Sequence, residues 1–167
     1  MFKLVFVSML FLSAAAYAQV KVEPTNQFVI EGNIDKALTV SVHTVDSFKA
    51  KSLGDVTTLN HLGEVKSLRK NVKGVLLKDI MSRVKIKVSK PNELFSHYFI
   101  FTGSDGYKVV LSYNEIFNQK NVYVVTESYG KTWQNIDDRV AVLVLTEPNK
   151  GHLVMKGLLK LTVEKLM

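Results

Sequence analysis

Along most of this chain the apolar positions recur every second residue, the spacing of strands buried on one face. Gln27-Phe28-Val29-Ile30-Glu31 is a short run of this kind, closed by Gly32-Asn33, and Ala37 to Val42 alternates as a second strand. Thr44 to Lys49 predicts one or two helical turns, with Thr44 as N-cap and Val45 and Phe48 on one face. Asp55 to Asn60 and Glu64 to Val72 predict a hairpin around His61-Leu62-Gly63.

Beyond Gly74 the period changes. Apolar residues at 76, 77, 80, 81 and 84 predict a short amphipathic helix, the strongest helical signal after the N-terminal segment. Tyr98 to Phe101 and Tyr107 to Leu111 then flank Gly103-Ser104-Asp105-Gly106, and Asp-Gly between two apolar runs is a hairpin signal. Ser112 followed by Glu115 has capping-box spacing for a helical turn through Phe117. Further strands are predicted at 122–126, 140–145 and 158–163. The sum is an α+β domain: a β-rich mixed sheet with a few short helices at its edges.

The N-terminus follows a different logic. Lys3 precedes an uncharged run from Leu4 to Ala15, and Ala16-Tyr17-Ala18 offers small residues at the first and third positions of a cleavage site. The run is shorter than the roughly 20 apolar residues that span a bilayer. Residues 1–18 are therefore expected to be a signal peptide and 19–167 a single domain, exported to a periplasmic or secreted location, with no transmembrane segment after cleavage. The 167-residue chain has no cysteine, so disulfides, thiolate nucleophiles and thiolate metal ligands are excluded, as is a lipid-modified cysteine anchor.

The net charge of +7 arises from 22 basic and 15 acidic residues that are interleaved, without a basic block. That distribution argues against a nucleic-acid partner and is compatible with a small anionic ligand or an envelope protein partner. No G-x-S-x-G nucleophile elbow and no Gly-rich phosphate loop occurs. His43, His61, His97 and His152 show none of the close spacings of a metal site. Asp137-Asp138 are adjacent and would point apart in extended chain. Trp133 reads either as a binding-surface aromatic or as a cover for the edge of the core.

Four segments in order carry a resemblance: Phe28-Val29-Ile30-Glu31-Gly32, Lys73 to Ile80, Gly103-Ser104-Asp105-Gly106-Tyr107, and Gly151 to Lys156. Together they resemble the oxidoreductase molybdopterin-binding domain, the catalytic fold of sulfite oxidases and their bacterial relatives. The resemblance implies that fold across nearly all of residues 19–167, and a molybdopterin-type cofactor or another anionic ligand near His61, Asp105, Tyr107 and Lys156. In the family a cysteine ligates molybdenum; His61 stands near that place in Leu59-Asn60-His61-Leu62-Gly63, and imidazole is a harder, neutral donor. The family's Arg/Asn-rich loop is replaced by Gly63-Glu64-Val65-Lys66, and Gly157 follows Lys156 where the family often places Trp. Read from the residues alone, Asp105-Gly106 is also simply a tight turn. Two functional classes stay open: a cofactor-binding oxidoreductase-like protein without the cysteine, and a non-catalytic binding module using the degenerate cleft.

Overall fold

The computed structural model describes residues 21–60, 62–136, 142–147 and 150–166. The expected signal peptide, His61, Asp137-Asp138 and the side chain of His152 lie outside the described residues.

The first sheet contains β1 (Gln27–Gly32), β2 (Leu38–Ser41), β5 (His97–Gly103), β6 (Lys108–Ser112) and β11 (Leu158–Lys165), in the order β2-β1-β11-β5-β6. The second contains β3 (Lys51–Leu59), β4 (Val65–Leu76), β7 (Asn121–Ser128), β8 (Lys131–Thr132), β9 (Val142–Glu147) and β10 (Lys150–Met155). Its order is β4-β3-β10-β9-β7-β8, and a further pairing of β4 with β7 curls it back on itself. Both sheets are mixed, because β1 runs parallel to β11 and β10 parallel to β3. The expected single sheet is thus two.

The main core lies between the sheets. Phe28, Ile30, Phe99, Phe101, Leu161 and Val163 from the first meet Val75, Val122, Val124, Val142, Val144 and Met155 from the second. A smaller cluster of Val56, Val72, Leu76, Tyr123, Val125, Ile136 and Leu145 fills the curled second sheet. This explains why Val122-Tyr123-Val124-Val125 is apolar without interruption: odd and even positions serve different cores. Burial also pushes the Tyr123 phenol up, with the nearby Asp79 carboxylate adding to the shift.

The helices differ from expectation. The first, α1, spans Val42–Asp46 with Ser41 as N-cap, whose N–H donates to Thr44 Oγ1 at 3.3 Å; Thr44 is the third helical residue and not the cap. The expected face is nevertheless correct, since Val45 is buried and Phe48 packs on the same core. The second, α2, is only Leu77–Met81. Val75 and Leu76 belong to β4, where they pair with Val124 and Tyr123 of β7, a contact that outweighs the local helical period. The strand β10 has no counterpart among the strands that the pattern predicts.

The capping box after β6 forms as its spacing predicts. Ser112 N–H and Oγ donate to Glu115 Oε2 at 2.8 and 3.0 Å, and Glu115 N–H donates to Ser112 Oγ at 3.2 Å, opening the π-helical turn Glu115–Gln119. Lys120 Nζ sits 2.6 Å from Glu115 Oε1. These bonds, that to Lys120 foremost and those from Ser112 next, hold the Glu115 carboxyl below its ordinary range. A depressed folded-state pKa contributes stability that is present above the unfolded value and lost as pH falls through the folded one. Glu115→Gln is therefore expected to flatten the loss of urea stability between neutral and acidic pH, with its largest penalty relative to the parent at neutral pH. Ser112→Ala should cost about 1 kcal/mol.

Candidate functional site

Three of the four residues that the sequence singles out are held around one end of the first sheet. The β5–β6 turn is closed by Gly103 N–H to Tyr107 O at 2.9 Å and Gly106 N–H to Gly103 O at 3.0 Å. Asp105 Oδ1 accepts from Tyr107 N–H at 3.0 Å, so this carboxylate is engaged in stabilising its own turn. Tyr107 is 52% exposed.

The β10–β11 connection docks on this turn. Ser104 N–H donates to Gly157 O at 2.8 Å, and a Cβ built on Gly103 would lie 3.2 Å from Lys156 O. Ser104 Oγ in turn donates to Glu23 O and accepts from Glu23 N–H, tying the N-terminal strap to the same corner. Gly157 has φ +58°, and a Cβ there would fall 2.5 Å from Ser104 Oγ and 2.6 Å from Glu23 O. The packing at this corner therefore leaves no room for a tryptophan side chain at this position. Lys156 is exposed, beside the turn that carries Asp105 and Tyr107. Because the N–H groups of Gly103, Ser104, Gly106 and Tyr107 are all donated within the fold, an anion here would be held chiefly by side chains. His61 lies outside the described residues; the neighbouring turn is set by Asn60, whose Oδ1 accepts from Leu62 and Glu64 N–H, each at 2.9 Å.

Two clefts involve residues without a motif. The larger, about 410 Å³, is lined by Asn33, Asp35, Lys85, Lys87, Glu93 and Lys165 among others. Behind it His97 is buried; its Nδ1–H donates to Glu93 O at 2.9 Å and its Nε2 accepts from Asn33 Nδ2 at 2.8 Å. Both ring nitrogens are thus spent on structure. Lys165 Nζ, at 2.7 Å, and then Ser89 N–H lower the Glu93 carboxyl below its ordinary range. With Lys85 also paired to Asp35, this cleft presents mostly mutually neutralised charge.

The second cleft, about 350 Å³, opens where α1 meets the β4–β7 ladder, between Val42, Val45, Phe48, Val75 and Trp133. Its residues come from four separate stretches of chain, which is why no spacing in the sequence announces it.

Among the described residues no group of three His, Cys, Asp or Glu side chains stands close enough to hold a metal ion. The donor set of a sulfite-oxidase molybdenum centre requires a thiolate, and the sequence has none. The residues present do not fit that ligation.

No protein-family model and no curated protein matches the sequence. The fold, in contrast, has a counterpart among solved structures. It is similar to the crystal structure of the sulfane dehydrogenase SoxCD from Paracoccus pantotrophus, with a TM-score of 0.60 and 11% sequence identity over 85% of this chain. The match spans 39% of that chain, well under half its length. Among the described residues no helix is long and apolar enough to cross a membrane.

Proposed function

We propose that this chain is an exported domain of the molybdopterin-binding oxidoreductase fold that works as a non-catalytic binding module. One observation carries the reading: an architecture like that of a sulfane dehydrogenase is retained in a chain with no cysteine. Fold kinship does not transmit a reaction, and the thiolate on which the related family's molybdenum depends cannot be supplied. Export rests on the basic, apolar and small-x-small order of residues 1–18. The corner that joins Asp105, Tyr107 and Lys156, with His61 added from the sequence resemblance, is the surface on which a small anionic ligand or an envelope partner would be sought.

The test is the metal and pterin content of the full-length chain expressed in a bacterium and recovered from its periplasmic fraction, alongside a cysteine-containing relative. The expected result is processing at Ala18, with molybdenum and pterin absent from this protein and present in the control. Molybdenum near one atom per chain would overturn the binding-module reading, and retention in the cytoplasm would overturn export.

A further inference from the structure

The hairpin of β3 and β4 ends in an apolar tip. Of the nine large hydrophobic side chains exposed among the described residues, Leu62, Val65, Leu68 and Tyr129 gather on it, with exposures of 69%, 71%, 44% and 54%. The strand register gives the tip one apolar side. Val65 stands opposite Leu59 and Leu68 opposite Thr57, two positions apart on β3, while Val56, Thr58 and Arg69, on the other side, are buried. The register shift between Thr58 and Leu59 makes Lys66 the extra residue, which is why Val65 and Leu68 share a side although they are three apart. Tyr129 lies along the open edge of β4, its N–H donating to Lys70 O at 2.8 Å and its hydroxyl to Leu68 O at 2.6 Å.

The turn that carries Leu62 can leave water at little cost. Asn60 N–H donates to Glu64 O at 2.9 Å and Gly63 N–H to Asn60 O at 3.0 Å, while Leu62 and Glu64 N–H both donate to Asn60 Oδ1. These donors are satisfied inside the turn, so moving Leu62 and Val65 out of water strands none of them. Among the described residues the pairing of β3 with β10 ends at Thr58, and the turn has no strand beside it.

Charge selects the surface that such a tip would meet. From residue 51 to residue 76 the hairpin has five basic and two acidic residues. Lys66 and Lys70, behind the apolar end, are exposed and have no ion-pair partner among the described residues, whereas Lys73 is neutralised by Glu127. The two acids are already engaged, Asp55 by Asn71 N–H at 3.0 Å and Glu64 by Asn60 Nδ2 at 2.9 Å. Leucine and valine at the end, with tyrosine and lysine behind them, is the order of groups that an anionic membrane surface receives: apolar side chains enter the acyl boundary while cations stay among the headgroups. A convex tip of this kind needs no shaped pocket, which a folded protein partner would have to supply.

We infer that the β3–β4 tip docks on a bilayer surface containing anionic phospholipid, with Leu62 and Val65 entering the headgroup boundary and Lys66 and Lys70 meeting lipid phosphates. The tip belongs to the second sheet and does not depend on the β5–β6 corner. Molybdenum in the purified protein would overturn the binding-module reading and leave this one standing.

The protein recovered from the expression host is sedimented with vesicles of phosphatidylcholine alone and with vesicles in which about a third of the lipid is phosphatidylglycerol. Binding is expected to the second and not to the first at about 0.05 M salt, and to fall by at least about tenfold at about 0.5 M, where surface charge is screened. Leu62→Gln with Val65→Thr should lower partition onto the anionic vesicles by about tenfold, and Lys66→Gln with Lys70→Gln by a similar factor. Val110→Thr, at an exposed valine of the first sheet, should leave it unchanged. Any contribution of residues 1–18 is common to the parent and all variants. Because the chain has no cysteine, Leu62→Cys and Val110→Cys each provide a single thiol for an environment-sensitive fluorophore. On anionic vesicles the emission of the label at 62 should shift to the blue and that of the label at 110 should not. The proposal is overturned by any of four results: no binding to anionic vesicles, equal binding to both lipids, binding indifferent to the hairpin substitutions, or equal shifts of the two labels.

Discussion

Phe99→Ala is expected to lower the unfolding free energy by about 3 to 5 kcal/mol, the range for truncating a fully buried aromatic. Phe99 is wholly inaccessible at the middle of β5, in register with Val163 on one side and Leu111 on the other. Its ring centroid lies 6.1 Å from that of Phe117, which stacks on Tyr113 at 4.3 Å. Truncation therefore opens a void between the sheets and also withdraws the surface on which the turn after β6 rests. Against a total of about 5 to 15 kcal/mol for a domain, the loss is a large fraction. Urea unfolding followed by circular dichroism should show the midpoint falling steeply with little change in slope. Val110→Ala, on the exposed face of the adjoining strand, should change stability by no more than about 0.5 kcal/mol. If the two substitutions cost the same, the assignment of Phe99 to the interface between the sheets is wrong.

Gly32→Ala should be nearly as damaging, although it adds a single methyl group. Gly32 ends β1 at φ +101°, in parallel register with Val163 of β11. A Cβ there would lie 2.2 Å from Val163 O and 2.9 Å from Val163 N, both backbone atoms with no rotamer to turn away. The φ value alone costs on the order of 1 to 3 kcal/mol for a residue with a side chain. Relieving the clash means parting β1 from β11 at the point where Asn33 N–H donates to Val163 O at 2.7 Å. Together these place the expected loss at about 3 kcal/mol or more. The check is the same urea titration, with hydrogen exchange at the Asn33 amide as a local readout. A midpoint equal to that of the parent chain would mean that β1 and β11 do not approach this closely.

Elements whose cause is local are legible in the residues themselves. Asp105-Gly106 sets a hairpin because those two residues suit the turn, and Ser112 with Glu115 sets a capping box because the reciprocal bonds span three residues. Val75 and Leu76 mislead for the opposite reason. Their spacing is helical, yet β7 lies alongside and the strand pairing prevails. The strand β10 pairs antiparallel with its neighbour β9, while its other pairing, with Thr57 and Thr58, is parallel and joins segments more than ninety residues apart. The corner around Gly103 is partly legible in the same way: Asp105 and Tyr107 share a turn motif, while its contact with Lys156 and Gly157 arises only when β10 and β11 return to it.

The order of residues alone thus establishes a β-rich α+β domain with its main hairpin, and the absence of any thiolate. These follow from composition and from interactions a few residues long. The division into two sheets, the curling of the second through β4 and β7, and the pocket beside Trp133 are decided by long-range packing. Val42, Lys73 and Trp133 are neighbours only because both sheets close on one core, and burial between sheets carries no periodic mark in the chain that produces it.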